Sequence, residues 1–164
     1  MDDVLFWNND YYSASIVSDL ISQSFLQFKL IGEWWVKMSD VTVIDQQHQE
    51  LVNMFNRLND AVKNNESRED IYRIIDDVIA FTRLHFATEE QLMIQSGYTD
   101  IEWHKDKHKQ LIQDALHLKG KLDYVGEQLF TEWFNHWPFA NVLAHIQYAD
   151  KQIEDHIIQS GVKE

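Results

Sequence analysis

From residue 42 onward, apolar side chains return at alternating steps of four and three. Ile44, His48, Leu51, Phe55, Leu58 and Val62 form one such run, the buried seam of an amphipathic helix in a bundle. Thr42 with Asp45 supplies a capping pair at its start, and Lys63-Asn64-Asn65 reads as a turn. Ser67 and Asp70 repeat the cap chemistry for a second helix, whose stripe is Ile71, Ile74, Val78, Thr82, His85, Glu89 and Leu92 and which Gly97 stops. Thr99 and Glu102 open a third, with Ile101, His104, His108, Leu111, Ala115, Leu118 and Leu122 inward. Gly120 and Gly126 bracket the next turn. A fourth helix over roughly 128–158, bent at Pro138, turns Trp133, Trp137, Asn141, His145 and Ala149 inward. Short connections make consecutive helices antiparallel neighbours, so the expected fold is all-α, an up-down-up-down four-helix bundle over residues 41–160. Residues 1–40, rich in Phe, Trp and Tyr, fall outside this pattern and read as an additional N-terminal arm or helix covering the bundle or an interface.

Composition narrows the chemistry. The 164 residues include one proline and five glycines, a scarcity of breakers that agrees with long helices. With no cysteine there are no disulfides, thiolate metal sites or thiol catalysis. A formal net charge of -13 argues against nucleic acid and anionic membrane as partners. No apolar stretch of about 18 residues is free of charges and amides, so no membrane span is expected. The Met-Asp-Asp start lacks the basic region of a signal peptide, and a cytoplasmic location is the expectation.

The eight histidines change the picture most, because five polar residues sit in the seams: His48, His85, Glu89, His104 and His108. One histidine on an apolar face is usually a boundary residue with its own partner. Five in facing seams would each need a buried partner, and the stripes offer none except one another. His85-x-x-x-Glu89 and His104-x-x-x-His108 are i,i+4 pairs, each pointing off one face a turn apart, a spacing that chelates a metal. At about 1.5 Å per residue, antiparallel helices bring His48 and His85 to one height. The interval from His48 to His85 (85 − 48 = 37) equals that from His108 to His145 (145 − 108 = 37), as expected if two hairpins feed one site. Imidazole and carboxylate without thiolate suit iron, manganese, zinc or copper. Five histidines with carboxylates exceed the four ligands of a closed zinc site and fit two metals. The Glu-x-x-His pairs of ferritin-like di-iron proteins are missing at the corresponding places.

Ile44-Asp45-Gln46-Gln47-His48 with Leu51, His85-Phe86-Ala87-Thr88-Glu89-Glu90-Gln91-Leu92-Met93 followed by Gly97-Tyr98, His104 with His108, and His145-Ile146 with Asp150 together resemble the bacterial hemerythrins over about residues 40–158. The resemblance implies two iron ions joined by an oxo or hydroxo bridge. His104, His108 and His145 would hold one, His48 and His85 the other, and Glu89 and Asp150 would bridge them. Asp150 comes from the motif alone: five residues beyond His145, it would lie about 140° away around an α-helix. Dioxygen would bind reversibly at the iron with fewer histidines, beside Phe86, Asn141, Val142 and Ile146. His117, His136 and His156 match no ligand position and read as surface, and Glu90 reads as solvated. Asn141 and Val142 stand where the family usually has a bulky aromatic–aliphatic pair, Pro138 interrupts a helix that usually runs on, and the glycine before Ile44-Asp45 is missing.

The expected function is therefore reversible dioxygen binding, as an oxygen- or redox-sensing module rather than a store and not as an enzyme. The competing readings are a di-iron enzyme acting on peroxide or nitric oxide and an iron-dependent interaction domain, with a homodimer or a fused output domain engaged through either terminal segment.

Overall fold

The computed structural model describes residues 42–121, 141–142 and 144–162. The expected arm over 1–40, Leu122, the turn at Gly126, Trp133, His136, Trp137 and the bend at Pro138 lie outside the described residues, as do the side chains of Thr42 and Leu118. Helices α1 (Thr42–Lys63), α2 (Arg68–Ser96) and α3 (Ile101–Lys121) follow in order. The last helical stretch begins with a π-helical turn, His145–Asp150, and continues as α4 (Lys151–Ser160). The architecture is an up-down-up-down four-helix bundle in which α2 packs against α1, α3 and α4. Among the described residues, no helix is long and apolar enough to cross a membrane.

The ends of the helices follow from their cap residues. α1 closes on Asn65, at φ 52, with Glu66 N–H donating to the Ala61 carbonyl at 2.9 Å and Asn65 N–H to that of Val62 at 3.1 Å. Asparagine tolerates this left-handed conformation better than most residues. Ser67 then caps α2, its hydroxyl accepting from Asp70 N–H at 3.2 Å. Gly97, at φ 70, ends α2 with the same two-bond pattern, Tyr98 N–H to the Met93 carbonyl at 2.9 Å and Gly97 N–H to that of Ile94 at 3.3 Å. α3 starts one residue later than the Thr99 cap predicts. Its first backbone bond runs from His104 N–H to the Asp100 carbonyl at 3.1 Å, so Asp100 holds the cap position.

The seam expected for α1 is buried throughout, joined by Val52 and Ala61. On α2, Ile75 takes the core place predicted for Ile74, which is half-buried beside it. Ile101, Leu111 and Ala115 of α3 are likewise half-buried. Apolar residues gather at two levels along the bundle axis. One plug joins Leu51, Phe55, Leu58 and Val62 to Ile71, Ile75, Val78, Ile79 and Ile146. The other joins Ile44, Leu92 and Met93 to Ile153 and Ile157. In both α1 and α2 the buried polar residues fall between these levels, which leaves a polar layer with a dry wall at each end.

Candidate metal centre

All seven residues that the sequence singles out as ligands are buried in that layer: His48, His85, Glu89, His104, His108, His145 and Asp150. α1 brings one, α2 two, α3 two and the π turn two. The i,i+4 pairs on α2 and α3 behave as α-helical spacing requires. His145 and Asp150 do not. They share a face because the backbone between them is π-helical, its i→i+5 bonds bringing the fifth residue back over the first. Asp150 Oδ1 thereby lies 3.1 Å from His145 Nε2. Local π turns are rare and concentrate at functional sites, and a period of 3.6 does not reveal them.

The two carboxylates divide their oxygens between two sets of imidazoles. On one side, Glu89 Oε2 is 3.1 Å from His108 Nε2 and 3.8 Å from His104 Nε2. Asp150 Oδ1 is 3.2 Å from His104 Nε2 on that same side. On the other side, Glu89 Oε1 is 3.5 Å from His85 Nε2, and Asp150 Oδ2 is 3.5 Å from His48 Nε2. Two overlapping donor groups result, Glu89–His104–His108–His145–Asp150 and His48–His85–Glu89–Asp150, sharing both carboxylates.

Most of these atoms face one another without hydrogen bonding. Nε2 of His85, His104, His108 and His145 and all four oxygens of Glu89 and Asp150 are buried and lack a hydrogen-bond partner. Buried polar atoms are rarely left so. Two donors about 2.1 Å from an ion and at right angles to each other lie about 3 Å apart, close to the shorter spacings here. The donor set thus fits metal ions, with five protein donor atoms on one side and four on the other.

Charge tells the same story. Burial drives Glu89 well above the usual carboxylate range, and neighbouring Asp150 adds to this. Burial also opposes ionisation of Asp150, yet His145, His104 and His48 hold it well below its ordinary value. Two carboxylates buried together resist ionising at once, so the two titrate as a pair. His108 is pushed down to about 2, first by burial and then by His145 and His104, and burial lowers His48 as well. For His104 burial acts downward, but Asp150 and Glu89 outweigh it and raise the ring. Neutral imidazole is the form that binds metal.

The far nitrogens of His85, His108 and His48 face groups outside the seven clustered donors. Gln47 Oε1 lies 3.2 Å from His85 Nδ1, and Gln47 Nε2 donates to Thr88 Oγ1 at 3.0 Å, which fixes the amide orientation. Glu90 Oε1 lies 3.1 Å from His108 Nδ1. Glu90 is therefore not the solvated residue its off-seam position predicts; its side chain, 32% exposed, spans from α2 to α3. Glu154 Oε1 lies 3.6 Å from His48 Nδ1. Burial, with Asp45 next, pushes Glu154 up to about 8, against the opposing pull of Lys151. Gln47 and Glu90 each adjoin a ligand in the chain, the one signal that could have pointed to them. Glu154 follows Asp150 by one turn.

Phe86 is buried and stacks on His108, ring centroids 3.7 Å apart and 4° from parallel. Ile146 is buried in the first apolar plug, Val142 packs against it half-buried, and Asn141 is half-buried. His117 is exposed. His156 is half-buried, its Nε2 3.0 Å from the Ser96 carbonyl oxygen.

Fold and site together define a helical bundle with a buried donor set able to hold metal ions. Residues 39–159 match the family described as the Hemerythrin HHE cation binding domain, and the chain belongs to the hemerythrin family. It is 32% identical over 123 residues to a bacteriohemerythrin of Stenotrophomonas maltophilia, covering 73% of this chain and 78% of that one. A bacteriohemerythrin of Methylococcus capsulatus is 30% identical over 117 residues, covering 69% of this chain and 85% of its own length. A solved hemerythrin variant superposes with a TM-score of 0.60 at 27% identity, over 73% of this chain and 89% of that chain.

Proposed function

We propose that this chain holds two iron ions and binds dioxygen reversibly. His104, His108 and His145 are the histidine ligands of one iron and His48 and His85 those of the other, with Glu89 and Asp150 bridging. The observation that carries this is the division of each carboxylate's oxygens between the two imidazole sets. When bound, the iron pair supplies one electron from each ion for taking up dioxygen and recovers them on release. The side with two histidines and four protein donors leaves more room for a ligand than the side with five.

The chain's own residues serve reversibility. The apolar plugs above and below exclude water from the layer. Phe86 holds the His108 ring flat against its own, and Glu90 and Gln47 keep the ring protons of His108 and His85 on the nitrogen that faces away from the site. Binding rather than turnover follows from the donor set, since five neutral imidazoles and two carboxylates supply little negative charge for higher oxidation states. Elemental analysis after iron-replete expression tests the assignment. Two irons per chain is the expected result, and a single metal or a preference for zinc would refute it.

Within this reading the module senses oxygen or redox state rather than storing oxygen. Asn141 lies one turn before His145, half-buried. An amide at that level is small and holds water, and water that reaches bound oxygen promotes its loss as a reduced product. The oxygenated protein is expected to oxidise within minutes to a few hours in air, and Asn141→Trp to lengthen its lifetime several-fold, followed by absorption spectroscopy. Persistence for many hours with no gain in the variant would contradict the sensing role.

A further inference from the structure

Among the described residues, Glu154 is the one buried carboxylate outside the proposed ligand set, at 3% exposure. Taking a carboxylate out of water costs several kcal/mol unless neighbours compensate. Its company on the solvent side is thin: Lys151 Nζ is 3.9 Å from Oε2 and sits closer to Asp155, at 2.8 Å. On the inner side Oε1 is 3.6 Å from Nδ1 of His48. The far nitrogens of His85 and His108 face a neutral amide and a partly exposed carboxylate respectively, so the enclosed charge belongs to His48. Asp45, His48 and Glu154 also form a third cluster of metal-type donors. That cluster shares His48 with the main site. A cation bound there through Nδ1 while iron occupies Nε2 would need the imidazole stripped of its last proton, which makes it an outer layer of the same site and not a separate one.

We propose that Glu154 is a positioning residue for the iron held by His48 and His85: it keeps the His48 proton on Nδ1, turns Nε2 to the metal, and by its charge strengthens the ring's donation and favours the ferric state. The inference rests on the two-iron assignment above. Iron at Nε2 leaves the only ring proton on Nδ1, so the group facing Nδ1 must accept, and a carboxylate accepts more strongly than an amide. The 3.6 Å separation is an ion-pair distance, longer than a hydrogen bond, and the inference requires the carboxylate to draw closer to Nδ1 when Nε2 takes a metal. Because α4 follows the π turn, Glu154 stands one turn past Asp150, and a single short segment delivers both the bridging carboxylate and the group that orients the opposite ligand.

The test uses full-length protein with Glu154→Leu and Glu154→Gln, reading iron content, chelator competition and reduction potential. Glu154→Leu is expected to hold its more weakly bound iron 10- to 100-fold less tightly, the usual effect of losing such a partner. Glu154→Gln keeps an acceptor and should regain most of that affinity, while its potential stays above wild type because the charge is gone. Metal-free melting of both variants, expected not to fall below that of wild type, separates this role from a folding defect. Wild-type iron affinity and potential in a folded Glu154→Leu overturn the inference alone, as does a third tightly bound metal that the variant loses. Fewer than two irons in the wild type overturns the two-iron assignment and this inference with it.

Discussion

Stripping iron from the protein is expected to lower its melting temperature by on the order of 10 °C. Without a cation, the polar layer holds five imidazoles and two carboxylates in a dry section of the bundle, with nine buried atoms on His85, His104, His108, His145, Glu89 and Asp150 lacking hydrogen-bond partners: five ring nitrogens and four carboxylate oxygens. The clash between Glu89 and Asp150, one driven well above and the other held well below the ordinary range, is the electrostatic cost of that arrangement. Metal binding to such a layer is folding free energy. Breaking a buried ionic network costs about 3–5 kcal/mol, and a chain of this size shifts by about 2–4 °C per kcal/mol. Differential scanning calorimetry of iron-loaded and chelator-treated protein gives the comparison. Equal melting temperatures would mean that the layer is stable without metal.

Substituting a single ligand is expected to have the largest effect on iron content. His104→Ala and His145→Ala should each reduce iron from two per chain to one or fewer and abolish the charge-transfer absorption, while His117→Ala leaves both unchanged. His104 and His145 each present Nε2 to Asp150 Oδ1, at 3.2 and 3.1 Å, so under the two-iron proposal either loss leaves that carboxylate short of a cation. His117 is exposed on α3 and is not one of the clustered donors. Iron-loaded stability should also fall by several kcal/mol in the two ligand variants. A full complement of iron in His145→Ala would remove that residue from the site.

Much of this was legible in the sequence because α-helical periodicity governs most of it. Steps of three and four placed the seams of α1 and α2, and the polar pairs four apart on α2 and α3, His85–Glu89 and His104–His108, declared their shared faces. Ser67 and Gly97 marked helix ends through local chemistry that needs no tertiary context. Periodicity failed where the backbone departs from 3.6 residues per turn. The π turn is visible only in the folded chain, so Asp150 could be reached by resemblance to a motif but not by counting. It also failed where a residue's role depends on the neighbouring helix. Glu90 lies off the α2 seam yet reaches across to His108 on α3, and Gln47 of α1 orients His85 of α2. Glu154 was hidden for both reasons, since its alignment with the site follows from the π turn and its partner is on α1. The choice between Ile74 and Ile75 rests on a small rotation of α2 that a stripe of alternating threes and fours does not resolve.

Titrating the anaerobically reduced, iron-loaded protein with dioxygen, followed by its absorption spectrum, tests most directly whether this donor set binds oxygen reversibly. Charge-transfer bands should appear with an endpoint of one dioxygen per two irons and fade when oxygen is promptly removed under vacuum. Bands that never form, or a ferric spectrum that vacuum leaves unchanged from the first addition, would contradict reversible binding.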